Sequence, residues 1–514
     1  MHSISPETGT ARSSDLMRTL TAIEAGHPVR DWQVDGLPVW PLIRLRWVFA
    51  EWARLYTGMA NPVGAGTALR RMLVGVLEQQ RARREDRNGE DRGPARRDIV
   101  FHSDGLSMAR LGSTWVERFC DPLRAAADTL GLSSLCLTPL HKRHRPRAGA
   151  SRWIQPGIDL SNLGGALRSR LWPPGAQLPA LETVCSELER GGFKTTELAR
   201  SRILFDAGRL LAVSNYYSRF LRRAQPRLAF VVGYYSLEGM AFVLACKRVE
   251  VRVFDLQHGV QGNMHPAYAA WPTTHNNEVH TLLPDGFWVW SDWEAATIRG
   301  WAQGRAHQAV VGGNPWMDLW SPDSEWPGVA EARQRVAVLK AQALGRPILL
   351  VTLQYGLQAQ EQLEPLAKLM RHSKDKFMWW VRLHPAMLDR YEEVVSRLAE
   401  TGAPHDITLS TDLPLQALLP MADLHLTHSS TTVIEAEQFG LRSVLTSAYG
   451  AELFPRQLAA GVAKLEEGGA GPMDAAISAL LAERAAIPHS QVPLATVDTL
   501  KLLLQPPMPQ VGKQ

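Results

Sequence analysis

The sequence predicts an α/β protein with two doubly wound domains, each built on a mostly parallel sheet. Its length of 514 residues exceeds one ordinary domain and suits two. Two successive series of short apolar segments alternate with helical patterns, which is typical of βαβ crossovers. An apolar fraction of 45% and a charged fraction of 21% are close to globular averages, so the composition excludes a disordered chain or a coiled coil.

Residues 1–95 are interpreted as a helical extension followed by a charged linker. The extension carries apolar residues at helical spacing, as in WPLIRLRWVFAEWARLY. The linker, which runs on to Arg97, contributes to a net charge of +5 and a sequence pI near 9.0. Because acids are interleaved with its arginines, we expect a solvated segment and no nucleic-acid partner. Attraction to an anionic membrane surface or to a phosphate-bearing acceptor stays open.

Residues 96–284 are predicted to form the N-terminal Rossmann-like domain, on the acceptor side. Its strand candidates are DIVFHSD, LSSLCLT, RLAFVVGYY and VEVRVFDLQHG. Short buried runs of this kind suit parallel strands. The stretch 141–192 is rich in proline and glycine and has no assignment from its pattern.

Residues 285–485 are predicted to form the C-terminal Rossmann-like domain, on the donor side. Its strand candidates are GFWVWSD, HQAVVGG, RPILLVTLQYG, KFMWWVRLHP, HDITLST, ADLHLTHSS and LRSVLTS. Residues 486–514 are expected to hold a crossover helix and a proline-rich tail.

The four cysteines are scattered and form no CxxC pair, which favours a reducing cytoplasm. The first residues lack the pattern of a signal peptide, and no run of eighteen uncharged apolar residues occurs. We therefore expect a cytoplasmic protein, with peripheral association at the inner face of the cell membrane as an alternative.

Polar residues follow three strands of the second series, where ligands bind in open α/β sheets. The first cluster contains Gly313 and Asn314. The second contains Arg382, His384 and Pro385, and the third contains His428, Ser429, Ser430 and Thr431. Hydroxyls and free N–H groups at a helix start suit a phosphate, and Glu435, one turn later, suits the hydroxyls of a ribose. The alternative is that these residues only cap the helix.

Two of these segments, RLHP and HSSTTVIEAEQFG, resemble the HP and Ser-Ser/Thr motifs of bacterial GT-B glycosyltransferases that use CMP-Kdo or CMP-sialic acid. These enzymes build capsule, O-antigen and lipopolysaccharide. The segment DLQHGVQGNMHPAY is similar to pieces of related surface-polysaccharide proteins. The resemblance implies sugar transfer from a nucleotide sugar, which is a substrate rather than a cofactor, to a saccharide or lipid-linked saccharide acceptor.

Other interpretations remain open beside this resemblance. The donor can instead be a UDP- or GDP-sugar or a CDP-alditol phosphate in the same cleft. The turn GGNPWMD resembles the interdomain turn of UDP-N-acetylglucosamine 2-epimerases, which keeps an epimerase open. A further alternative is a non-catalytic GT-B-like protein of a polysaccharide assembly complex.

The resemblance assigns roles in a metal-independent transfer, since no DxD-type acidic pair stands at a strand end. His384 would donate a hydrogen bond or a proton to the donor phosphate as the bond to the sugar breaks. Arg382 and the Ser429 and Ser430 hydroxyls would neutralise the departing phosphate.

The general base is expected from the first domain, across the cleft. Glu238, in YYSLEG, is the first candidate, and Asp104, in HSDG, is the alternative. Either carboxylate can instead cap the next helix. His258, in the turn QHGVQG, is a further candidate site residue, because the two glycines permit close approach of a ligand and the similar sequence around it favours a lined cleft. A purely structural turn is the alternative.

Overall fold

A computed structural model describes residues 9–56, 96–139, 147–272, 281–302, 307–357, 359–483 and 496–505. The first of these ranges is the N-terminal extension. It contains two helices around a short hairpin: α1 (Gly9–Gly26), β1 (Gln33–Val34), β2 (Leu37–Pro38) and α2 (Trp40–Tyr56). Apolar residues of the extension, among them Leu20 and Trp47, belong to the same buried cluster as the first large domain. The linker expected to follow lies outside the described residues.

The N-terminal domain follows as an alternation of strands and helices. In chain order these are β3 (Ile99–His102), β4 (Met108–Leu111), β5 (Thr114–Glu117), α3 (Asp121–Thr129), β6 (Ser134–Thr138), β7 (Ser151–Trp153), α4 (Gln155–Leu171), β8 (Ala176–Gln177), α5 (Leu181–Arg190), α6 (Arg200–Ala224), β9 (Leu228–Val232), α7 (Leu237–Arg248), β10 (Arg252–Leu256), β11 (Gly286–Val289), α8 (Asp292–Ala302) and β12 (Gln308–Val311). The stretch 141–192, which the pattern left unassigned, therefore holds four of these elements in its described part.

Seven of these strands form one parallel sheet in the order β12-β11-β10-β9-β3-β6-β7. This result corrects the boundary expected between residues 284 and 285, because β11 pairs with β10 and β12 pairs with β11. Both strands belong to the N-terminal sheet. Their buried apolar pattern predicted strands, but a pattern of this kind carries no information about which sheet a strand joins.

The C-terminal domain is a second alternation. Its elements are α9 (Pro315–Asp318), α10 (Val329–Ala341), β13 (Ile348–Thr352), α11 (Ala359–His372), β14 (Met378–Arg382), α12 (Tyr391–Ala399), β15 (His405–Asp406), α13 (Thr408–Asp412), α14 (Leu415–Leu418), β16 (Leu424–Thr427), α15 (Thr432–Gln438), β17 (Ser443–Leu445), α16 (Ala448–Leu453), α17 (Pro455–Ala459), β18 (Ala463–Leu465) and α18 (Ala470–Ala482). The strand expected over HDITLST is only β15, and α13 follows it directly.

The strand order of the second sheet is β15-β14-β13-β16-β17-β18, all parallel. Numbered within the domain, this is the order 3-2-1-4-5-6 of a dinucleotide-binding fold. The first sheet has the same order with one strand added at its edge. The predicted fold class, two Rossmann-like doubly wound domains of the GT-B kind, is therefore confirmed by the topology.

The two domains share buried apolar surface. The β4–β5 hairpin of the N-terminal domain places Leu111 and Val116 in a cluster with Trp316 and Val336 of the C-terminal domain. Gly328, at φ +85°, lies against the hairpin: a Cβ there would be 2.5 Å from the Leu111 carbonyl carbon. Only glycine fits such a position. The hairpin therefore connects the two cores.

The last described element, α19 (Thr496–Leu504), returns to the N-terminal domain. Its Leu500 and Leu503 join a cluster with Leu123 of α3. Arg252 of β10 donates a hydrogen bond to the carbonyl oxygen of Gln505 (2.9 Å). None of the helices in the described ranges combines the length and apolar character that crossing a bilayer requires.

Candidate active site in the interdomain cleft

The carboxyl ends of the parallel strands carry the polar loops of both domains. In the C-terminal sheet the strand order reverses between β13 and β16, and in the N-terminal sheet it reverses between β3 and β9. Ligands of open α/β sheets bind beside such a reversal. The loops after these strands contain most of the residues that the sequence singled out, and the site is built from them.

Arg118 is the residue around which the two domains meet. It follows β5 of the N-terminal hairpin, and its charge is, after burial, the next cause that shifts the pKa values of Arg382, His384 and Glu435 in the C-terminal domain. Its Nε atom is buried and has no hydrogen-bond partner among the described residues. The structure therefore brings the RLHP loop, Glu435 and a cation of the opposite domain together.

His384 presents a hydrogen-bond donor to this cleft. Its Nδ1 atom accepts from the backbone N–H of Ala386 (3.1 Å), so the proton of the neutral ring is on Nε2. The ring stacks on Tyr355, with centroids 6.0 Å apart. Desolvation in the cleft, together with the positive charges of Arg118 and Arg382, lowers the pKa of His384. At neutral pH the imidazole is therefore an uncharged N–H donor. Pro385 is exposed and begins the short helical turn that follows.

Arg382 and Glu435 complete the charged group. Arg382 Nη1 donates to the carbonyl oxygen of Ser410 (2.7 Å) and to that of Leu413, which fixes the guanidinium at the end of β14. Burial and the like charge of Arg118 lower its pKa to about 10. Glu435 is buried and accepts from Gln416 Nε2 (2.9 Å). Burial raises its pKa, although the two arginines oppose that shift. A second carboxylate, Asp412, also acts on Arg382 and is paired with Arg335 (2.9 Å). Three arginines beside two carboxylates leave an excess of positive charge, which an anion would compensate.

The polar groups of the loop after β16 form hydrogen bonds mainly within the turn that leads into α15. Ser430 Oγ accepts from the N–H of Thr432 (3.2 Å), and Ser430 N–H donates to Thr427 Oγ1 (3.3 Å). Thr431, the N-cap residue of α15, makes no side-chain capping hydrogen bond, so these contacts stabilise the turn that precedes the helix. His428 Nδ1 lies 3.0 Å from Ser429 Oγ, and burial lowers the pKa of His428. A contribution of this loop to phosphate binding remains a prediction.

His258 lies on the opposite wall, where the loop after β10 reaches the loop after β16. A Cβ on its neighbour Gly259 would be 3.7 Å from Thr431 Oγ1. His258 Nδ1 donates to the carbonyl oxygen of Leu256 (3.0 Å), so in the neutral ring Nε2 accepts from the hydroxyl of Tyr235 (2.9 Å). Burial is the main cause that raises the pKa of Tyr235, so the phenol stays protonated. The two side chains form a short hydrogen-bonded chain ending in a basic nitrogen.

The two candidate carboxylates differ in their surroundings. Asp104 Oδ1 accepts from the N–H of Leu106 (2.8 Å) and of Ser107 (3.3 Å), so Asp104 stabilises its own turn. Glu238 is half-buried in the first turn of α7, which Ser236 caps. Its charge contributes to raising the pKa of Tyr217, after burial. The negative charge of Asp104 acts on Tyr235, the partner of His258, and on Glu117, next to Arg118, so Asp104 lies on the same wall as His258. The role of either carboxylate as general base stays a prediction.

Gly313 and Asn314 form the connection that leaves the N-terminal sheet. Both residues are buried. Gly313 O accepts from Trp288 Nε1 (2.9 Å), and Asn314 Oδ1 accepts from the N–H of Trp316 (3.2 Å) at the start of α9. A Cβ on Gly312 would overlap the Trp288 ring at 2.0 Å. These contacts account for the two glycines as structural residues. The side-chain NH2 group of Asn314, however, is buried and has no hydrogen-bond partner among the described residues, and a role of this turn in binding stays a prediction.

The N-terminal extension supports the His258 loop, which no sequence pattern indicated. Arg44 of α2 is buried and donates to the carbonyl oxygens of Pro266 and Ala269. The same loop places Tyr268 so that its hydroxyl donates to Asp255 Oδ2 (2.8 Å). Asp255 in turn accepts from the backbone N–H of Tyr234 (2.9 Å), which holds the loop after β9. The extension is therefore part of the frame of the cleft.

Arg118 was also missed by the sequence analysis, because it follows a hairpin strand rather than a strand of the large sheet. Gln261, in the same loop as His258, was missed as well: its side-chain amide is buried and has no hydrogen-bond partner among the described residues. Nowhere among the residues that the structure describes are three His, Cys, Asp or Glu side chains grouped so that they could hold a metal ion.

Comparisons with protein-family models and with curated proteins gave no match. Among solved structures, the chain is similar to UDP-GlcNAc 2-epimerase from Methanocaldococcus jannaschii in complex with UDP-GlcNAc and UDP (12% identity, TM-score 0.47, 79% of this chain and 98% of that chain). It is also similar to UDP-GlcNAc 2-epimerase from Neisseria meningitidis (13%, 0.45, 79% and 98%) and to the wall teichoic acid polymerase TagF (8%, 0.43, 86% and 92%). The fold assignment depends on the strand order of the two sheets.

Proposed function

We propose that the chain is an enzyme that binds a nucleotide-activated sugar or alditol in the interdomain cleft and transfers the activated group to an acceptor hydroxyl. The observation that carries the proposal is the electrostatic interaction of Arg118, from the N-terminal domain, with Arg382 and His384 at the end of a strand of the C-terminal sheet. Two guanidinium groups and a neutral N–H donor suit a phosphate.

The chemistry assigned to these groups follows from their protonation. The arginines balance the charge that develops on the leaving phosphate, and His384 Nε2–H donates a hydrogen bond to one of its oxygens. The acceptor hydroxyl loses its proton to His258 through the Tyr235 hydroxyl, since both ring nitrogens of His258 already form hydrogen bonds. The Tyr235 oxygen would take the acceptor proton as its own proton passes to His258 Nε2, so the number of protons is conserved.

The donor named by the motif resemblance is a CMP-linked ulosonic or sialic acid. The alternative donors, UDP- or GDP-sugars and CDP-alditol phosphates, would bind through the same phosphate contacts. The acceptor proposed is a saccharide or lipid-linked saccharide of a bacterial surface polymer. Epimerisation of UDP-GlcNAc, which two of the similar structures are named for, is the other reaction to be tested.

A nucleotide panel tests the binding part of the proposal. A ligand that binds the native state raises the midpoint of thermal unfolding by mass action. We expect one of CMP, CDP, UDP or GDP to raise it, and Arg118→Ala to remove the effect. The control is Arg110→Ala, which removes an exposed arginine from the same hairpin. No stabilisation by any nucleotide would refute the proposal.

An activity assay tests the chemical part. We expect the free nucleotide to appear only when donor and acceptor are both present, and His258→Ala to reduce this release about 100-fold or more while leaving nucleotide binding unchanged. Glu238→Ala and Asp104→Ala serve as comparisons, since each removes a rival base. If UDP-GlcNAc is converted to its 2-epimer in the absence of an acceptor, the proposed activity is epimerisation and not transfer.

A further inference from the structure

Helix α4 of the N-terminal domain presents an apolar stripe to solvent. Leu160, Leu167 and Leu171 are 37%, 51% and 64% exposed, and Trp172, which follows the helix, is 71% exposed. At 3.6 residues per turn the three leucines lie within an arc of about 40°. Large apolar side chains gathered on one face in this way indicate an interaction site, whereas scattered ones do not.

The stripe lies on the face of α4 that points away from the rest of the domain. The face opposite the stripe packs closely on α6: a Cβ on Gly165 would be 2.6 Å from the carbonyl oxygen of Gly208. A Cβ on Gly157 would be 2.4 Å from the Tyr216 ring, and Gly157 lies about 60° around the helix from Leu160, so the contact with α6 reaches towards the stripe at the start of α4. Leu167 lies about 160° around the helix from Gly165. From Leu167 onward, the stripe is therefore not part of the contact that holds α4 in the fold.

Two exposed arginines flank the stripe. Arg168 and Arg170 lie about 60° to either side of the leucines, and both are exposed. The two packed helices α4 and α6 together contain eight arginines and two aspartates, a formal net charge of +6, against +5 for the whole chain. One of the aspartates, Asp206, is buried and paired with Arg202 and Arg209.

We propose that α4 docks the protein on a bilayer rich in anionic lipid, with the leucine stripe and Trp172 in the headgroup region and the flanking arginines at lipid phosphates. Leucine and tryptophan on one face with arginine beside them is the composition of interfacial helices. Tryptophan favours the membrane–water boundary. Each arginine near an anionic surface adds electrostatic attraction.

The charge argues against the other occupants of this face. A second copy of the chain would bring Arg168 and Arg170 of both copies together across a symmetric interface. Residues 57–95 of this chain also carry a positive net charge, so that segment does not complement the stripe electrostatically.

The placement of α4 connects this surface with the cleft. The helix begins at Gln155, two residues after β7 ends at Trp153, and β7 is parallel to its neighbour β6. Its N-terminus therefore lies at the carboxyl edge of the sheet, where the cleft opens. A helix lying in the membrane plane would hold that edge near the bilayer. The inference itself concerns binding to lipid and does not depend on the proposed activity.

Co-sedimentation of the full chain with vesicles tests the proposal. We expect binding to vesicles of equal parts phosphatidylglycerol and phosphatidylcholine, and at least tenfold weaker partition into phosphatidylcholine alone. The variant Leu167→Ser/Leu171→Ser/Trp172→Ser should lose at least tenfold in partition into the anionic vesicles, and Arg168→Glu/Arg170→Glu about tenfold. High salt should weaken binding of the wild type.

The matched control removes two exposed apolar side chains elsewhere, Val338 (65% exposed) and Leu502 (60%), as Val338→Ser/Leu502→Ser. All variants change exposed residues, so their thermal midpoints should equal that of the wild type. The proposal is wrong if the triple variant binds like the wild type, since the basic segment 81–97 would then account for binding. It is also wrong if the wild type does not bind vesicles and is a dimer, while the triple variant is a monomer.

Discussion

The tautomer of His384 decides what this residue can do at neutral pH. Its Nδ1 is occupied by the backbone N–H of Ala386, and its pKa is lowered, so Nε2–H is a neutral donor. A neutral donor strengthens phosphate binding without adding to the charge of the two arginines. His384 would therefore donate a hydrogen bond to the phosphate across the neutral pH range, and we do not expect it to act as a general acid.

Replacing His384 by alanine should weaken binding of the nucleotide that stabilises the protein most. A hydrogen bond to a charged group contributes about 1.5–3 kcal/mol, which corresponds to a rise of roughly tenfold or more in Kd. Isothermal titration calorimetry measures this change. His384→Gln, which keeps an N–H donor, should recover part of the affinity. His372→Ala is the control, because His372 lies at the end of α11, 3.9 Å from Asp474. Unchanged affinity in His384→Ala would remove this residue from the site.

Glu117, directly before Arg118, is a second residue with unusual protonation. It is buried, its Oε2 accepts from the N–H groups of Phe119 (3.0 Å) and Cys120, and its Oε1 has no partner among the described residues. Burial, with a smaller contribution from the negative charge of Asp104, raises its pKa from 4.5 to about 8. The native state therefore keeps a proton at neutral pH that the unfolded chain releases.

The stability of the protein should reflect this proton. Because the native pKa is above the unfolded one, the free energy of unfolding falls as pH rises between the two values, by about 1.4 kcal/mol per pH unit at most. Glu117→Gln keeps the acceptor oxygen and removes the titration. Its stability relative to the wild type should therefore increase with pH over this window, as measured from urea midpoints. A difference between Glu117→Gln and the wild type that does not change with pH would show that the native carboxyl is ionised.

At the scale of elements, the β4–β5 hairpin determines where Arg118 lies. The hairpin leaves the N-terminal sheet, packs Leu111 and Val116 in the core of the C-terminal domain, and ends one residue before Arg118. Its contact with Gly328 leaves no room for a side chain. Any change that displaces the hairpin should therefore move the cation out of the cleft.

Two glycines of the C-terminal domain provide a matched test of this contact. Gly328 and Gly345 have nearly the same positive φ, +85° and +81°, but a Cβ on Gly345 would meet nothing within 4 Å. Gly345→Ala should cost only the backbone strain, about 1 kcal/mol. Gly328→Ala adds overlap with the Leu111 backbone, so it should destabilise the protein by several times as much and weaken nucleotide binding as well. Thermal midpoints and titration measure both effects. Equal losses in the two variants would show that the hairpin contact contributes little.

The motifs and the hairpin show what the sequence can and cannot predict. RLHP and the Glu435 segment were recognised because each follows an apolar strand, and residues at strand ends of a parallel sheet must meet at one edge. Arg118 follows a short antiparallel strand whose packing partner is more than two hundred residues away, so no local pattern indicates it. Likewise, β11 and β12 were recognised as strands but assigned to the wrong sheet, since their pairing is a tertiary property.

At the scale of the whole molecule, the two domains are joined by more than a linker. One buried cluster contains Phe119 and Trp290 of the N-terminal domain together with Val433 of the C-terminal domain and Leu500 of α19. A second buried cluster contains residues of the β4–β5 hairpin together with core residues of the C-terminal domain. The N-terminal extension adds Arg44, which holds the loop beside the cleft. The cleft is thus framed by surfaces that are buried only while both domains are folded together.

We therefore expect the domains to unfold in one cooperative transition. If each domain were stable alone, calorimetry would show two transitions. Here, unfolding of either domain would expose apolar residues of the other, at a cost of about 25 cal/mol for each Å² of apolar surface. Each domain is therefore less stable once the other has unfolded. Differential scanning calorimetry should show a single transition that moves to higher temperature as a whole when the nucleotide is added. Deleting residues 496–514, which include α19, should lower the midpoint and separate the domains into two transitions. Two resolved transitions in the intact chain, with only the C-terminal one responding to nucleotide, would mean that Arg118 and the N-terminal wall take no part in binding it.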